Sequence, residues 1–337
     1  MKNNKWGMAF VVAVIAGFVG YLIKTNKLEL VMHQITHLDY KWFGASIVAI
    51  VLYWVLEAKM INNIVLSMGG NQSFWQAFQV TMVGQFFSGI TPFASGGQPM
   101  QLYIMSAKQK FPVGKGTSAL MSKFIVYQGT LVVYALVLLL FKSKFFIENI
   151  NNLFAIVIVG FAVNAVVIGA LILLSTSKRF NKGFIRKIVY LLYRFKIVRH
   201  PEERIAKLEK HIEEFHENVI ALSENKLLLF NTIALTVVQL TLYFMVPYLL
   251  YRSFGLEGAG LVNMLSATAF VLMITSFIPI PGASGGAEGG FYLMFGLFFI
   301  GKYIMTAIVL WRVLTYYIWI LFGGMFMLFS NFEKRLC

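Results

Sequence analysis

Long apolar runs separated by short polar connections make up most of this chain. Six of the runs approach or exceed the length that crosses a bilayer as a helix, about 20 apolar residues. These runs lie at approximately 6–23, 42–57, 117–141, 152–174, 227–251 and 303–329. The pattern predicts an all-α polytopic membrane protein with about six full transmembrane helices.

Two further apolar stretches, at about 74–107 and 260–300, are each interrupted at the centre by the same phrase. The phrase reads Pro-Phe-Ala-Ser-Gly-Gly at 92–97 and Pro-Gly-Ala-Ser-Gly-Gly at 281–286, an offset of 189 residues. Proline and glycine break helices, and irregular backbone at membrane depth occurs only where protein buries it or a wet cavity adjoins it. We therefore predict two Pro/Gly-broken re-entrant hairpins with buried or half-buried turns. The alternative is that each stretch spans the membrane twice.

The match at this offset continues into the helix that follows each phrase. The aligned pairs are Thr117 with Thr306, Lys123 with Arg312, and Tyr127 with Tyr316. We expect a single membrane domain over 1–337, with one repeat half at 42–174 and the other at 227–331.

The placement of charge orients the two halves. The chain is 58% hydrophobic and 13% charged with a net charge of +15, and excess Lys and Arg in membrane proteins collect in cytoplasmic loops. Residues 178–199 hold eight Lys or Arg and no acid, so we expect this loop to be cytoplasmic, together with the basic 108–115 connection and both termini. The first hairpin then enters from the cytoplasm and the second from outside, which makes an inverted repeat. The excess of basic residues is therefore explained by membrane orientation and by attraction to anionic lipids. Nucleic acid is not expected as a partner.

The segment 178–226 is predicted to be a cytoplasmic amphipathic helical segment. Its first part mixes basic and bulky apolar residues, which is typical of a helix lying on anionic headgroups, and Pro201 opens a second helix. An apolar stripe on that second helix, at spacings of three and four, comprises Ile205, Leu208, Ile212, Phe215, Val219 and Leu222. The stripe either packs on the membrane domain or forms the seam of a possible homodimer.

The two turns carry the first candidate chemistry. A helix that restarts after a Ser-Gly-Gly turn presents free N–H groups and the positive end of its dipole, which attract anions. The candidate substrate-binding residues of the turns are Ser95, Gly96, Gly97, Gln98, Ser284, Gly285 and Gly286. The alternative is that these small residues only allow helices to cross closely.

Ionisable residues inside the apolar runs are the second candidate set. Glu288 follows the second phrase at membrane depth, where an acid is costly and marks function by default. It can carry a proton, pair with Arg312 or Lys123, or bind a cationic headgroup, and the alternative is a structural ion pair. Lys123 and Arg312 suit a phosphate-bearing headgroup unless they snorkel to the interface, and Tyr127 and Tyr316 follow them on the same helical face. The first copy of the phrase carries no matching acid, so a coupling role is expected at Glu288.

Signals for catalysis are weak in this sequence. His33 and His37 are one helical turn apart without acidic partners, no Ser-His-Asp set is found, and the Gly-Lys-Gly-Thr at 114–117 does not fit a P-loop. Phosphoryl and glycosyl transfer normally need several acids or a metal site. We expect no enzyme activity, no metal and no cofactor.

At these motifs the chain resembles the lysylphosphatidylglycerol synthase transmembrane-region family, flippase-like proteins also described as UPF0104-type membrane proteins. The resemblance rests on the phrase at 91–98, the Pro-Gly-x-x-Gly-x-x-Glu pattern at 281–288 and the Trp-Arg-Val-Leu-Thr-Tyr-Tyr segment at 311–317. It covers nearly the whole chain and implies lipid translocation, without support for synthase activity. Lys123 stands where we expect arginine in many relatives, so the headgroup does not carry over.

The residues and the resemblance together predict a flippase-like transporter of the bacterial cytoplasmic membrane that acts on lipids with an anionic or zwitterionic headgroup. The lipid classes considered are aminoacyl-phospholipids, glycolipids and polyprenyl-phosphate-linked lipids. The alternatives are a membrane enzyme or accessory subunit acting on lipid-linked sugars, and a small-solute secondary transporter.

Overall fold

The computed structural model of the protein describes residues 28–149, 153–194, 200–275 and 278–329, together with residue 16. The predicted first helix at 6–23, apart from residue 16, and the basic C-terminal tail lie outside the described residues. Within the described ranges the regular elements are helices, and no β-strand is found there.

The helices follow the predicted apolar runs and both broken stretches. Those of the described residues are α1 (Leu28–Thr36), α2 (Tyr40–Ser67), α3 (Phe74–Ile90), α4 (Gly97–Ala107), α5 (Val113–Asn149), α6 (Leu153–Thr176), α7 (Lys178–Arg194), α8 (Pro201–Glu224), α9 (Lys226–Ser253), α10 (Leu261–Thr275), α11 (Gly286–Phe295), α12 (Gly301–Arg312) and α13 (Ile318–Phe329). Short 3₁₀ turns at Pro92–Ala94 and Pro281–Ala283 form the two breaks, and a π-helical turn at Val313–Tyr317 joins α12 to α13.

Four helices of the described residues are long and apolar enough to cross a membrane: Tyr40–Ser67, Val113–Lys142, Lys226–Ser253 and Gly301–Met327. Each contains one of the predicted runs. Shorter apolar helices occur at Val159–Leu173, within the predicted run at 152–174, and at Leu261–Thr275. The prediction of an all-α polytopic membrane protein is therefore confirmed.

Side-chain caps fix where several of these helices begin. Ser73 Oγ accepts from the N–H of Gln76 at 3.2 Å while Gln76 Oε1 accepts from the N–H of Ser73 at 2.9 Å, so α3 starts with a reciprocal capping box. At α9, Asn225 Oδ1 accepts from the N–H of Leu228 at 3.0 Å. These bonds satisfy donors that a helix N-terminus otherwise leaves unpaired.

The order of elements recurs between the two halves. A long helix, a second helix, a 3₁₀ turn, a short helix and a long helix occur as α2 to α5 and again as α9 to α13. The turns start at Pro92 and Pro281 and the short helices at Gly97 and Gly286, so the offset of 189 found in the sequence holds in the structure. The opposite membrane orientation of the two hairpins stays a prediction.

The two halves interlock rather than stand side by side. Helix α2 packs along α9, α13 packs along α3, and the two 3₁₀ turns contact each other at the centre. A Cβ at Gly323 of α13 would lie 2.4 Å from the carbonyl oxygen of Met82 in α3. The glycine therefore permits the close helix approach that small residues allow in membranes.

Helices α7 and α8 form a pair joined by polar side chains. Lys182 Nζ lies 2.7 Å from Glu213 Oε1 and Arg186 Nε lies 2.8 Å from Glu209 Oε1. The Glu213 carboxylate raises the pKa of Lys182 above its usual range, so the lysine keeps its charge at neutral pH. These contacts are exposed and set the register of the pair more than its stability.

The apolar stripe predicted on α8 is largely buried. Ile205, Ile212, Phe215 and Leu222 are buried, whereas Leu208 is 36% exposed. Helix α8 packs against α5 and α7, and Ser118 Oγ of α5 donates to the Phe215 carbonyl at 3.2 Å. The stripe is therefore engaged within the chain, and a role as a dimer seam stays a prediction.

The stripe generates a stability test. Truncation of Phe215 to alanine should lower the free energy of unfolding by about 3–5 kcal/mol, because a buried aromatic side chain leaves a cavity. Leu208→Ala, on the same stripe but partly exposed, is the matched control and should cost about 1 kcal/mol or less. Thermal unfolding of the detergent-purified protein measures both; equal losses would show that the stripe does not pack as described.

Candidate functional site

The two breaks share one backbone conformation. Phe93 and Gly282 stand at the same place after the proline and have φ of 54° and 62°. The next residues, Ala94 and Ala283, also have positive φ, at 53° and 50°. A left-handed conformation is unfavourable for residues with a Cβ, so its recurrence at three such residues shows that surrounding contacts impose the turn.

The serine of each phrase closes its own turn. Ser95 Oγ donates to the Pro92 carbonyl and Ser284 Oγ donates to the Pro281 carbonyl, both at 2.9 Å. Each hydroxyl proton is thus used locally. The serines stabilise the breaks and retain only their lone pairs for other contacts.

The copies diverge at the first glycine. Gly96 has φ of −80° and donates its N–H to Thr91 Oγ1 at 2.9 Å. Gly285 has φ of +86° and donates its N–H to Glu288 Oε2 at 2.6 Å. The acid found only in the second copy therefore binds the start of α11, as a carboxylate in the first turn of a helix commonly does.

Glu288 and Arg312 form the ion pair of the second half, one of the pairings expected from the sequence. Arg312 Nε donates to Glu288 Oε1 at 2.6 Å, and Nη2 donates to the Gly282 carbonyl at 2.8 Å. The guanidinium also lies 4.7 Å from the ring centroid of Tyr316, within cation–π range. The arginine side chain is 5% exposed, so it does not snorkel to the interface.

Tyr316 links this cluster to the first half. Its hydroxyl donates to the Gly89 carbonyl at 3.0 Å, and its ring lies against the second break. A Cβ at Gly282 would lie 2.2 Å from Tyr316 Cε2. This ring requires glycine at position 282, and the positive φ favours glycine there as well.

Glu57 is a candidate site residue that sequence analysis did not single out. Lys123 of α5 forms an ion pair with Glu57 of α2, and Gln85 Nε2 donates to the second carboxylate oxygen at 2.8 Å. The Glu57 side chain is 6% exposed and that of Lys123 13%. The first half therefore also carries a buried acid, although its copy of the repeated phrase contains none. A signal was available, because Glu57 is the one acid in α2 and an acid inside an apolar run marks function by default.

Two adjoining cavities lie between the ion pairs. The larger, of about 570 Å³, is lined by Glu57, Lys123, Tyr127, Ser95 and Gln98 among others. The smaller, of about 230 Å³, is lined by Arg312, Tyr316 and Gly282 among others. Both cavities share a wall formed by Gln85, Ser88, Phe93 and Ala94.

Aromatic side chains stand where the cavities meet. Tyr53 lines the larger cavity, and Tyr243 and Trp319 line the smaller. The ring centroids of Tyr53 and Trp319 are 5.1 Å apart and those of Tyr53 and Tyr243 are 5.7 Å apart. Tyr53 is stacked on Trp319 and tilted relative to Tyr243, so aromatic rings that line the two cavities contact each other.

The remaining predicted residues do not line either cavity. Gly97 is buried, and a Cβ there would lie 2.0 Å from Ser88 Oγ; at Gly286 it would lie 2.0 Å from Ile278 Cδ1. These two glycines permit close packing, as the alternative interpretation of the turns proposed. Predicted residues that line neither cavity are Gly96, Gly97, Ser284, Gly285, Gly286 and Glu288.

Comparison with known proteins agrees with these motifs. The family model described as the lysylphosphatidylglycerol synthase TM region matches residues 8–323. A UPF0104 membrane protein from Archaeoglobus fulgidus is 25% identical over 291 residues, which covers 84% of this chain and 84% of the relative.

The Lys123–Glu57 pair generates a double-mutant test. Lys123→Gln or Glu57→Gln alone should lower the free energy of unfolding by about 3–5 kcal/mol, because each leaves a buried charge without its counter-charge. The double variant K123Q/E57Q should recover most of the loss. Chemical denaturation in detergent measures the cycle, and additive losses would contradict a direct pair.

Gly282 generates a steric test. Gly282→Ala should destabilise the protein by about 1–3 kcal/mol, since the new methyl group overlaps the Tyr316 ring. The matched control is Gly289→Ala, where an added Cβ meets nothing within 4 Å and the helix gains up to about 1 kcal/mol. Thermal unfolding compares the two, and an unchanged midpoint for Gly282→Ala would contradict the close approach.

Proposed function

The chain belongs to the lysylphosphatidylglycerol synthase TM region family, a lipid-related family of multi-pass membrane proteins, and on this basis we propose that it is a flippase-like transporter. The proposed substrate is a polar, phosphate-bearing lipid, namely an aminoacyl-phospholipid, a glycolipid or a polyprenyl-phosphate-linked lipid. Its proposed location is the bacterial cytoplasmic membrane with both termini cytoplasmic, which the loop charges support.

One observation carries the proposal: two adjoining cavities are each lined by the cation of an ion pair, Lys123 in one and Arg312 in the other, where the two breaks contact each other. A charge placed in hydrocarbon costs several kcal/mol or more, and a lipid headgroup meets this barrier when it crosses the bilayer. A polar cavity inside an apolar bundle lowers the barrier while the acyl chains stay in lipid. Related folds place substrate sites at such broken helices.

A transport role also fits the hydrogen bonding of the two carboxylates. Glu57 accepts from Lys123 and from Gln85, and Glu288 accepts from Arg312 and from the Gly285 N–H. Both oxygens of each acid are therefore engaged, whereas a general acid or base needs a carboxylate that reaches the substrate. We propose passive or ion-coupled transport, in which an acid becomes a proton carrier only when its cation partner moves away and frees an oxygen.

The test is lipid translocation in proteoliposomes. A fluorescent short-chain phospholipid in the inner leaflet is protected from dithionite until it is flipped. Glu288→Gln and Arg312→Ala should slow flipping by about tenfold or more, which corresponds to about 1.4 kcal/mol in the barrier, while membrane insertion is retained. Arg252→Ala is the matched control, because Arg252 also pairs with an acid, Glu257 at 3.1 Å, but at an exposed site away from the cavities.

Unchanged flipping by both variants would show that Glu288 and Arg312 do not take part in transport. Turnover of a lipid-linked sugar donor by the purified protein, without flipping, would favour the alternative of a membrane enzyme.

A further inference from the structure

The two cations at matching places of the repeat are held in different ways. The Arg312 guanidinium donates to Glu288 and to the Gly282 carbonyl, and it lies over the rings of Tyr316 and Trp311 at 4.7 and 5.8 Å. Glu288 in turn accepts from the Gly285 N–H. The result is a closed unit in which the guanidinium already contacts a carboxylate, a backbone carbonyl and two aromatic rings.

This closed unit ties three parts of the second half together. It connects the end of α12 with the second break and with the start of α11. Because the guanidinium is a rigid planar fork whose donors are fixed in direction, Arg312 defines the geometry of the break. Release of the arginine to a ligand would leave Glu288 and the Gly282 carbonyl without their partner.

Lys123 has a much simpler environment. Among the described residues its ammonium makes one hydrogen bond, to Glu57, whereas an ammonium carries three donors. The side chain lines the larger cavity of about 570 Å³. Two donors of a buried cation therefore remain for a ligand, and the flexible lysine stem can move between partners.

The wall around Lys123 offers neutral donors to the same ligand. Gln98 lines the cavity, and its amide hydrogen-bonds to none of the residues that the structure describes. Gln85 keeps Glu57 hydrogen-bonded at 2.8 Å when the lysine turns away. When an anion takes the place of Glu57 at the ammonium, the carboxylate loses its counter-charge but keeps the hydrogen bond from Gln85.

We propose that Lys123 is the anion-binding residue of the larger cavity, where it takes the phosphate of a lipid headgroup in exchange for Glu57, and that Arg312 is a positioning residue which holds the second break. The assignment rests on the proposed transport function for the lipid source of the phosphate. It gives the two repeat-related cations different roles, although they occupy matching positions.

Binding measurements on the full-length, detergent-solubilised protein test the assignment. The probe is dihexanoyl phosphatidylglycerol below its micellar concentration, titrated by calorimetry, with the unfolding midpoint of the unliganded protein measured in parallel. K123Q/E57Q, which removes both charges together, should bind the lipid about tenfold more weakly or worse, about 1.4 kcal/mol, with a wild-type midpoint. The single variant Lys123→Arg, which keeps a cation beside Glu57, should bind the lipid as wild type does.

Arg312 variants should show the opposite pattern, with lower stability and a nearly unchanged affinity for the lipid. R312Q/E288Q should lower the unfolding midpoint yet keep the affinity within about threefold of wild type, a difference below 1.4 kcal/mol. Arg312→Lys keeps the charge and loses only the fork, so it gives the same comparison if the double variant does not fold. An affinity lost on Arg312→Lys at a wild-type midpoint, or an affinity unchanged in K123Q/E57Q, overturns the assignment.

Further titrations and the flipping assay distinguish a failure of this inference from a failure of the proposed function. Glycerol 3-phosphate and inorganic phosphate are titrated beside the lipid. If they bind as tightly as the lipid and depend on Lys123, the anion site stands but its lipid source is overturned. Lys123-dependent lipid binding without flipping in proteoliposomes supports the site and overturns the transport function, whereas wild-type protein that binds none of the three probes overturns the site.

Discussion

A charge buried inside a membrane protein must have an opposite charge in contact with it, and the centre of this protein is arranged around that constraint. Each half places one cation on the second helix after its break, Lys123 in α5 and Arg312 in α12, and each cation meets a carboxylate. Two elements supply those carboxylates, α2 for Lys123 and α11 for Arg312. The helices that carry the partners are therefore fixed relative to one another, because loss of either partner leaves a charge that the apolar surroundings cannot solvate.

The breaks follow from the same constraint. Backbone groups at the breaks of Pro92 and Pro281 lie outside regular helix and need other partners, and the local serine hydroxyls and the Arg312 guanidinium supply some of them. Close approach of the remaining segments then requires residues without side chains, as at Gly97 and Gly282. The glycines thus allow the irregular backbone of the breaks to pack closely, and the charged side chains contribute hydrogen bonds to it.

Much of the fold could be predicted from the sequence because hydrophobic run length and the repeated phrase are local signals. Among the described residues, the helices of the apolar runs, the two breaks and the amphipathic helix α8 appear where the pattern places them. The site was predictable only in part, because pairing across helices leaves no local signal. Glu57 pairs with Lys123 across 66 positions and lies outside the repeated phrase, and the capping of Gly285 by Glu288 depends on a turn that only the folded chain defines.

The shared turn at Phe93 and Gly282 has a consequence for which residues each copy can accept. The backbone conformation is the same in both copies, and position 282 faces a tyrosine ring at contact distance. Phe93 is 57% exposed beside the cavities, so its position has room for a large side chain, whereas the Tyr316 ring leaves no room for a Cβ at position 282. One backbone turn therefore carries different residues in the two halves because its surroundings differ, without any change in the turn itself.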